Sequence, residues 1–297
     1  MAGLAAAKEL RHAGWNLTVL DKGRVVGGRM ATLGFDDGRV DYGAQFFTLR
    51  DEAFAELARP WVAAGMALPW TERRYRVAAG MRSIPEAMAE GLDVRLATKV
   101  AGVSEAPEGW AVETEAGERF ASGHLLLTAP VPQSVEMLTA GALELKEMDG
   151  ALLERARYWK CLTLLARIEG GARLGPSGFV APEDGNLAWI ADNHAKGVSP
   201  LRGCLTIHAT REFSEAKWES PPSEVVQQML TAAAAFYMSR VRSYYLHRWR
   251  YAEPAMQMPA LFHGIGTLAF AGDVFGGPHV GGAAASGLAA AAYLLRA

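Results

Sequence analysis

Residues 17–30 read Leu-Thr-Val-Leu-Asp-Lys-Gly-Arg-Val-Val-Gly-Gly-Arg-Met, and this stretch decides the fold of the chain. A short apolar run ends in an acid, Asp21, and a glycine-rich loop follows it. Ahead of the run, residues 3–13 have the apolar spacing of a helix, and Gly14 can supply the left-handed conformation that ends one. Helix, turn, strand and terminal acid form the second half of a dinucleotide-binding βαβ unit.

The first half of that unit is incomplete in this sequence. A complete unit opens with a strand and a Gly-x-Gly turn, and the acid lies about 20 residues beyond the glycines. Here Met1-Ala-Gly-Leu can supply only the last glycine, Gly3. We therefore expect the natural protein to begin upstream, and an added Ile/Val-rich strand with Gly-x-Gly to restore cofactor binding. The alternative is a divergent protein without a cofactor.

Length, charge and cysteine usage exclude several classes of protein. The chain has 297 residues, which suits two domains, and a net charge of −2 with both signs interspersed, which argues against a nucleic-acid partner. Cys161 and Cys204 are far apart, and no signal peptide is visible, so we expect a cytoplasmic protein without disulfides. No apolar stretch is long enough for a membrane span, and no histidine or cysteine spacing suits a metal.

The next part of the chain contains short predicted strands, and a mixture of predicted helices and strands follows them. Residues 92–130 show short alternating strands, and the last run, residues 124–130, is predicted to be a buried parallel strand. Residues 131–250 mix predicted helices with predicted strands and carry much of the aromatic content. The predicted helices there are 135–138 and 223–237, and the predicted strands are 161–168, 188–192 and 204–209. We expect this section to form a cap over a ligand, with one or two of Trp189, Trp249 and Tyr251 facing the substrate.

The end of the chain again has a strand, a glycine-rich turn and a helix, as expected of a dinucleotide-binding domain. Residues 268–273 form an apolar strand that ends in Gly-Asp, a glycine-rich turn is predicted over residues 276–282, and an Ala-rich helix over 283–295. A strand, a glycine turn and a helix N-terminus together favour an anion, because the first amides of a helix are free and its dipole is positive there. His208, His263 and His279 are interpreted as structural or solvated.

Several of these motifs together resemble the flavin-containing amine oxidase superfamily, and within it the renalase-like branch. The resemblance runs nearly end to end, and its most specific part is the Gly-Gly-Arg that follows the acid. It is carried by residues 1–4, 21–29, 41–48, 80–81, 128–130, 272–273 and 282–287. One departure is Gly281, where renalase-like relatives often have an acid.

The resemblance implies an α/β fold: a Rossmann-like FAD-binding domain with a second, mixed β-sheet and helix substrate domain (an α+β cap). Residues 1–45, 79–132 and 251–297 would form the FAD-binding domain, and residues 46–78 and 133–250 the substrate domain. By the same resemblance the cofactor is FAD, and the residues that bind it are Gly3, Asp21, Lys22, Gly27, Gly28, Arg29, Gln45, Phe46, Val100, Pro130, Gly272, Asp273, Gly282 and Ala283. The catalytic residues are not identified, and the flavin-facing candidates are Gln45, Phe46, Trp249 and Tyr251.

The function that the resemblance implies is hydride transfer from a small reduced substrate to FAD. Renalase-like members oxidise dihydronicotinamide isomers of NAD(P)H at the expense of O2 and release H2O2. Two alternatives stay open: an amine oxidase or desaturase of the same superfamily, and a non-catalytic nucleotide-binding or interaction protein, because the phosphate loop is incomplete. The expected partners are a small-molecule substrate and O2, with no nucleic acid, no membrane and no metal.

Overall fold

The computed structural model describes residues 1–183 and 185–297. The helices are α1 (Ala2–His12), α2 (Glu52–Ala63), α3 (Ser83–Ala89), α4 (Val131–Ala140), α5 (Glu147–Glu154), α6 (Arg211–Ala216), α7 (Pro222–Ala233), α8 (Asp273–Gly276) and α9 (Val280–Leu294), with a short 3-10 helix at Ala234–Phe236. The strands are β1 (Thr18–Leu20), β2 (Thr32–Phe35), β3 (Gly38–Asp41), β4 (Ala67–Thr71), β5 (Arg74–Val77), β6 (Asp93–Arg95), β7 (Val100–Ala106), β8 (Gly109–Thr114), β9 (Arg119–Ser122), β10 (Leu125–Leu127), β11 (Tyr158–Ile168), β12 (Phe179–Val180), β13 (Leu187–Asp192), β14 (Cys204–Ala209), β15 (Val241–Pro254), β16 (His263–Ile265) and β17 (Leu268–Phe270).

The predicted helix and strand around the opening motif are confirmed. Helix α1 ends at His12, and Gly14 follows with a φ of +89°, which a residue without a Cβ adopts at little cost. Strand β1 pairs in parallel with β6, as a dinucleotide-binding unit requires. The chain therefore passes from helix to parallel strand to Asp21 as its sequence indicates.

The strand predicted at residues 124–130 is parallel but only partly buried. β10 pairs in parallel with β17, and β16 pairs antiparallel on the far side of β17. Leu125 and Leu126 are only half-buried, whereas Leu127 is buried. Among the described residues β10 has no other strand neighbour than β17, so the prediction of a fully buried strand is wrong for its first two residues.

Helices α1 and α9 pack against each other at small residues. Ala6 and Leu10 share a buried cluster with Ala291, and a Cβ at Gly287 would lie 2.1 Å from the carbonyl oxygen of Ala2. α9 begins at Val280, three residues before the predicted start, so Gly282 lies in its first turn rather than in a loop. The physical reason is the cap: His279 Nδ1 accepts from the Gly282 amide at 2.7 Å and so starts the helix at Val280. Glycine at 282 also leaves room for the carbonyl oxygen of Gly276, which would lie 2.2 Å from a Cβ.

The section predicted to form a cap contains a five-stranded antiparallel sheet in the order β12-β13-β14-β11-β15, called the cap sheet below. The predictions for strands 161–168, 188–192 and 204–209 are confirmed, and helix α7 ends at Ala233 where the 3-10 helix takes over. β15, which is 14 residues long, was predicted only as an aromatic-rich region. One face of the sheet forms an apolar core with α7, through residues such as Leu164, Ile207 and Met229.

The α/β fold class is confirmed, and the division into two domains stays a prediction. Residues predicted to belong to different domains share one apolar cluster: Phe47, Phe54 and Trp61 pack with Leu4 and Val280. In the part of the chain that the structure describes, no helix is long and apolar enough to cross a membrane.

Candidate cofactor site

The carboxyl ends of three parallel strands and the N-terminus of α1 meet in one region. Asp21 follows β1, Ala129 and Pro130 lie beyond β10, and Gly272 and Asp273 follow β17. The nitrogen of Met1 is buried, and the charges of Arg29, Asp21 and Asp273 all act on it. Both predicted acids therefore lie near the start of α1. Ligands of α/β sheets bind at this carboxyl edge.

The Arg29 guanidinium forms a two-pronged ion pair with Asp273, 244 residues away in sequence. Its Nη1 lies 2.5 Å from Oδ2 and its Nη2 lies 2.7 Å from Oδ1, and Nη1 also donates to the carbonyl oxygen of Ala252 at 3.1 Å. The side chain of Arg29 is 33% exposed and that of Asp273 is 10% exposed. Paired donors of this kind are geometrically specific, so the glycine-rich loop is tied to the end of β17.

The predicted glycines shape this region in different ways. Gly27 and Gly28 have φ values of +117° and +53°, a backbone region that glycine adopts readily. Gly3 lies against the end of β10, since a Cβ there would be 2.9 Å from Thr128 Oγ1. No atom lies within 4 Å of where a Cβ would stand on Gly28 or Gly272, so both backbones face open space.

These features fit a diphosphate. α1 begins without a side-chain cap, and the amides of Ala2, Gly3 and Leu4 make no hydrogen bond within the described residues. Free amides at a helix N-terminus bind anions. Arg29 adds a guanidinium, and the open space beside Gly28 and Gly272 leaves room for a phosphate to approach the backbone.

Four other residues predicted to bind FAD lie after β1 or at the start of β7 and α4. Asp21 Oδ1 accepts a hydrogen bond from the Gly23 amide at 2.7 Å and so closes the turn after β1. Lys22 is exposed, with its Nζ 3.4 Å from Gln133 Oε1 on α4. Val100 opens β7 and is half-buried, and Pro130 caps α4. Their roles toward a cofactor stay predictions.

The segment 41–45 runs directly beside the Arg29 loop. Ala44 donates to the carbonyl oxygen of Arg29 at 2.8 Å, and a Cβ at Gly43 would lie 2.0 Å from that oxygen, so only glycine fits there. Gln45 is buried, and its Nε2 donates to the carbonyl oxygens of Asp41 and Gly43 at 2.7 and 3.1 Å. Its Oε1 is buried without a partner among the described residues. An unpaired buried acceptor is costly, and it fits a hydrogen-bond donor on a ligand.

A buried ion pair behind this segment was not predicted. Lys196 Nζ lies 2.6 Å from Asp41 Oδ2, and both side chains are fully buried. Asp41 Oδ1 also accepts from Thr32 Oγ1 at 2.6 Å and from the Met81 amide at 2.8 Å. Burial lowers the pKa of Lys196 while Asp41 acts to raise it. No local pattern indicated this pair, because its members are 155 residues apart.

The inner face of the cap sheet carries a row of neutral polar and aromatic side chains. Register places Trp189, His208, Thr163 and His247 side by side across β13, β14, β11 and β15. Thr163 Oγ1 lies 2.8 Å from His208 Nδ1. The pKa of His208 is lowered to about 4 by burial and then by Lys196, against a bond to the Gly43 backbone, and burial also lowers that of His247.

Two of the flavin-facing candidates lie at the end of this row nearest Arg29. Trp249 stacks on Tyr42 with ring centroids 5.2 Å apart, and its Nε1 donates to the carbonyl oxygen of Tyr42 at 3.0 Å. Tyr251 meets Tyr158 edge to face at 5.6 Å. Burial raises the pKa of Tyr158, and the charge of Asp273 raises it further, so this phenol lies close to the Arg29–Asp273 pair.

Other predicted residues lie apart from this cluster. Phe46 points into a separate aromatic group with Trp189 and Trp70, at centroid distances of 5.8 and 6.5 Å. Gly282 is buried and Ala283 half-buried in the first turn of α9.

The three histidines singled out in the sequence each have a protein partner. His208 bonds Thr163, His263 Nε2 lies 2.9 Å from Asp149 Oδ1, and His279 Nδ1 caps α9 by accepting from the Gly282 amide at 2.7 Å. No cluster of three or more His, Cys, Asp or Glu side chains suited to a metal occurs in residues 1–183 and 185–297.

The chain matches a family of proteins described as flavin-containing amine oxidoreductases, over residues 1–63 and 61–148. Its fold is similar to solved structures of low sequence identity. A putrescine oxidase bound to putrescine is 16% identical, with a TM-score of 0.76 over 100% of this chain and 97% of that one. A protein from an Exiguobacterium species, assigned as a protoporphyrinogen oxidase, is 14% identical, with a TM-score of 0.77 over 100% and 97%. A fatty acid isomerase from P. acnes that produces CLA is 12% identical, with a TM-score of 0.63 over 85% and 84%.

The family match covers the opening helix, the Gly-Gly-Arg loop and the segment that ends at Gln45. Those are the elements that the structure gathers around the free amides of α1. The cofactor of this family is a flavin, and the free amides of α1 beside Arg29 fit the diphosphate of FAD. The chain therefore belongs to the flavin-containing amine oxidoreductase superfamily, as an FAD-dependent oxidoreductase.

Proposed function

We propose that this protein oxidises a small dihydronicotinamide-type substrate, such as an isomer of NAD(P)H, and passes the electrons to O2, giving H2O2. The observation that supports this proposal is the row Trp189, His208, Thr163 and His247 on the inner face of the cap sheet. The row contains no carboxylate, and its two histidines have lowered pKa values. Such a face stacks a flat ring and offers no strong base. A dihydronicotinamide suits it because hydride loss from this ring requires no deprotonation.

The residues that would hold FAD are those that surround the opening at α1. The free amides of Ala2 and Gly3 would bind the diphosphate, and Arg29, fixed by Asp273, would add a guanidinium donor. Asp21 would bind a ribose hydroxyl, and Gln45 Oε1 would accept from the ring system. When bound, FAD supplies the hydride acceptor and the reaction with O2.

The protein's own contribution is placement and exclusion of water. Trp249, held by its bond to Tyr42 and by the stacking contact, offers a flat surface next to the 41–45 segment. Gly43, in contact with Arg29, keeps that segment close to the cofactor opening. His208, neutral at physiological pH, bonds Thr163 and adds no charge to the face. Together these groups would orient a flat, reduced ring without charging it.

Anaerobic mixing of the flavin-loaded protein with candidate substrates tests this proposal. Dihydronicotinamide isomers are expected to bleach the oxidised flavin absorbance, and admission of O2 is expected to restore it with one H2O2 per substrate. Putrescine and other amines serve as the competing substrates. Bleaching by amines alone would indicate an amine oxidase, and flavin that no substrate reduces would contradict both activities and favour a binding protein.

A further inference from the structure

An arginine lies among aromatic rings on the side of the cap that faces the β4–β5 hairpin. The guanidinium carbon of Arg74 is 4.5 Å from the ring centroid of Phe46, 5.0 Å from that of Phe179 and 5.4 Å from that of Trp189. Phe179 stacks on Trp189 at 4.4 Å, and Trp70 packs edge to face with Trp189 at 6.1 Å. We call these five residues the Arg74 cage.

Two of the polar groups of the Arg74 cage have no partner among residues 1–183 and 185–297. No carboxylate lies within 4.0 Å of the Arg74 guanidinium in residues 1–183 and 185–297, and its side chain donates no hydrogen bond there. Trp189 is only 9% exposed, and its Nε1 is buried without an acceptor. Trp70 Nε1, by contrast, donates to the carbonyl oxygen of Ser177 at 2.8 Å. The cage therefore contains a cation and a buried N–H that no described residue satisfies.

A second arginine lies on the same hairpin. Arg76 lies two residues along β5 and so on the same face of the hairpin as Arg74. Lys196 Nζ is 5.3 Å from the Trp70 ring, although its charge is matched by Asp41. A planar guanidinium that is free of an acid binds oxyanions in a two-pronged fashion, and its contact with aromatic faces keeps it in place.

The Arg74 cage adjoins the proposed substrate face. Phe46 follows Gln45 directly in the chain, and Trp189 lies opposite His208 in the β13–β14 register. The Arg74 cage and the proposed substrate face therefore share Trp189 and lie next to each other.

We propose that Arg74 and the Trp189 N–H bind the phosphate of a phosphorylated dihydronicotinamide substrate. This inference rests on the proposed function, because it specifies which substrate the same site takes. Arg74 then determines specificity through the oxyanion and takes no part in hydride transfer. Its loss should raise KM for phosphorylated substrates and leave kcat unchanged.

The role of Arg74 can be tested with two substrates that differ only in the presence of the phosphate. Reduced nicotinamide mononucleotide carries one, and reduced nicotinamide riboside carries none. We expect Arg74→Met to lower kcat/KM for the mononucleotide by about 10- to 100-fold, which is the usual cost of losing a charged hydrogen bond. The whole effect should be an increase in KM. The riboside should change less than about twofold. Arg74→Lys should recover only part of the loss, since an ammonium lacks the fork.

Arg73→Met, at the exposed neighbouring position, is the matched control and should change neither substrate. An equal loss for mononucleotide and riboside in Arg74→Met would overturn the proposal, because it would mean that Arg74 only packs the cage. A loss in kcat without a change in KM would overturn it as well.

A binding measurement separates this inference from the proposed function. Inorganic pyrophosphate is titrated into the FAD-loaded protein, with tryptophan fluorescence as the readout, because Trp70 and Trp189 belong to the cage. A saturable change in the unmodified protein that Arg74→Met abolishes supports the oxyanion site even if no dihydronicotinamide reduces the flavin. A saturable change that Arg74→Met leaves intact, or no change in the unmodified protein, contradicts the site.

Discussion

The buried pair of Lys196 and Asp41 provides the sharpest test of how this fold is held together. Its Nζ–Oδ2 distance is 2.6 Å, and both side chains are fully buried. Lys196→Met keeps the length of the side chain and removes the charge, so Asp41 retains its bonds from Thr32 and the Met81 amide but loses its counter-ion. Leaving one charge of a buried pair unmatched costs about 3–5 kcal/mol. That is a large part of a typical total stability of about 5–15 kcal/mol.

The exposed pair Lys99–Glu115 is the matched control. Its Nζ–Oε1 distance is 2.5 Å, but its side chains are 56% and 57% exposed. We expect Lys99→Met to cost about 0–1 kcal/mol, because water screens the exposed charges. The two pairs have similar distances, so the difference in cost isolates the effect of burial.

Urea unfolding, followed by far-UV circular dichroism and tryptophan fluorescence, measures both costs. The double variant Asp41→Asn/Lys196→Met removes both charges and should be more stable than the sum of the single variants predicts, by about 0.5–3 kcal/mol. The reasoning is refuted if Lys196→Met costs no more than Lys99→Met, or if the single effects simply add.

Three further predictions follow from single contacts. His208 has a pKa of about 4 in the folded state and 6.5 ordinarily, so between these pH values the unfolded chain binds a proton that the folded chain does not, and the free energy of unfolding decreases as the pH falls. Denaturation at a series of pH values should show a decrease of up to about 3 kcal/mol, and His208→Gln should remove this pH dependence. Gly287→Ala should lower the free energy of unfolding by about 1–3 kcal/mol, because its Cβ would lie 2.1 Å from the Ala2 carbonyl oxygen. Gly171→Ala, where a Cβ would meet open space, is the control and should leave the free energy of unfolding unchanged. Equal effects of the two substitutions would contradict the α1–α9 contact. His279→Ala should lower the midpoint of thermal unfolding by the equivalent of about 1 kcal/mol, since it removes the cap of α9, and an unchanged midpoint would argue against that cap.

Local patterns in the sequence were sufficient for the elements whose residues lie close together in the chain. The helix that ends before Gly14, the strand before Asp21 and the strand before Gly272-Asp273 all follow from apolar spacing and from glycines at turns. Such signals are short-range, because backbone conformation and periodicity depend on neighbouring residues. The family and the cofactor followed from the same motifs at their characteristic spacing.

The extent of α9 and the length of β15 were harder to predict. Gly281 and Gly282 read as a turn, but they are helical because His279 caps the helix ahead of them. They are glycines because Phe54 and Gly276 approach their backbones too closely for a Cβ. In β15 some side chains, such as Leu246, pack against the apolar core, and others, such as His247, belong to the polar row. No uniform apolar pattern therefore predicts a strand 14 residues long. The contact of Phe54 with Gly281 and the pairing of β15 with β11 come from distant parts of the chain.

The sequence by itself determined the α/β class and the helix, strand and terminal acid of the dinucleotide-binding half-unit. Only the tertiary structure decided that Arg29 pairs with Asp273, that Lys196 neutralises Asp41 and that Arg74 lies among aromatic rings with no carboxylate within 4.0 Å in residues 1–183 and 185–297. The members of each ion pair are more than 150 residues apart. Which charge meets which therefore depends on how the helices and sheets pack, and that packing is a property of the whole folded chain.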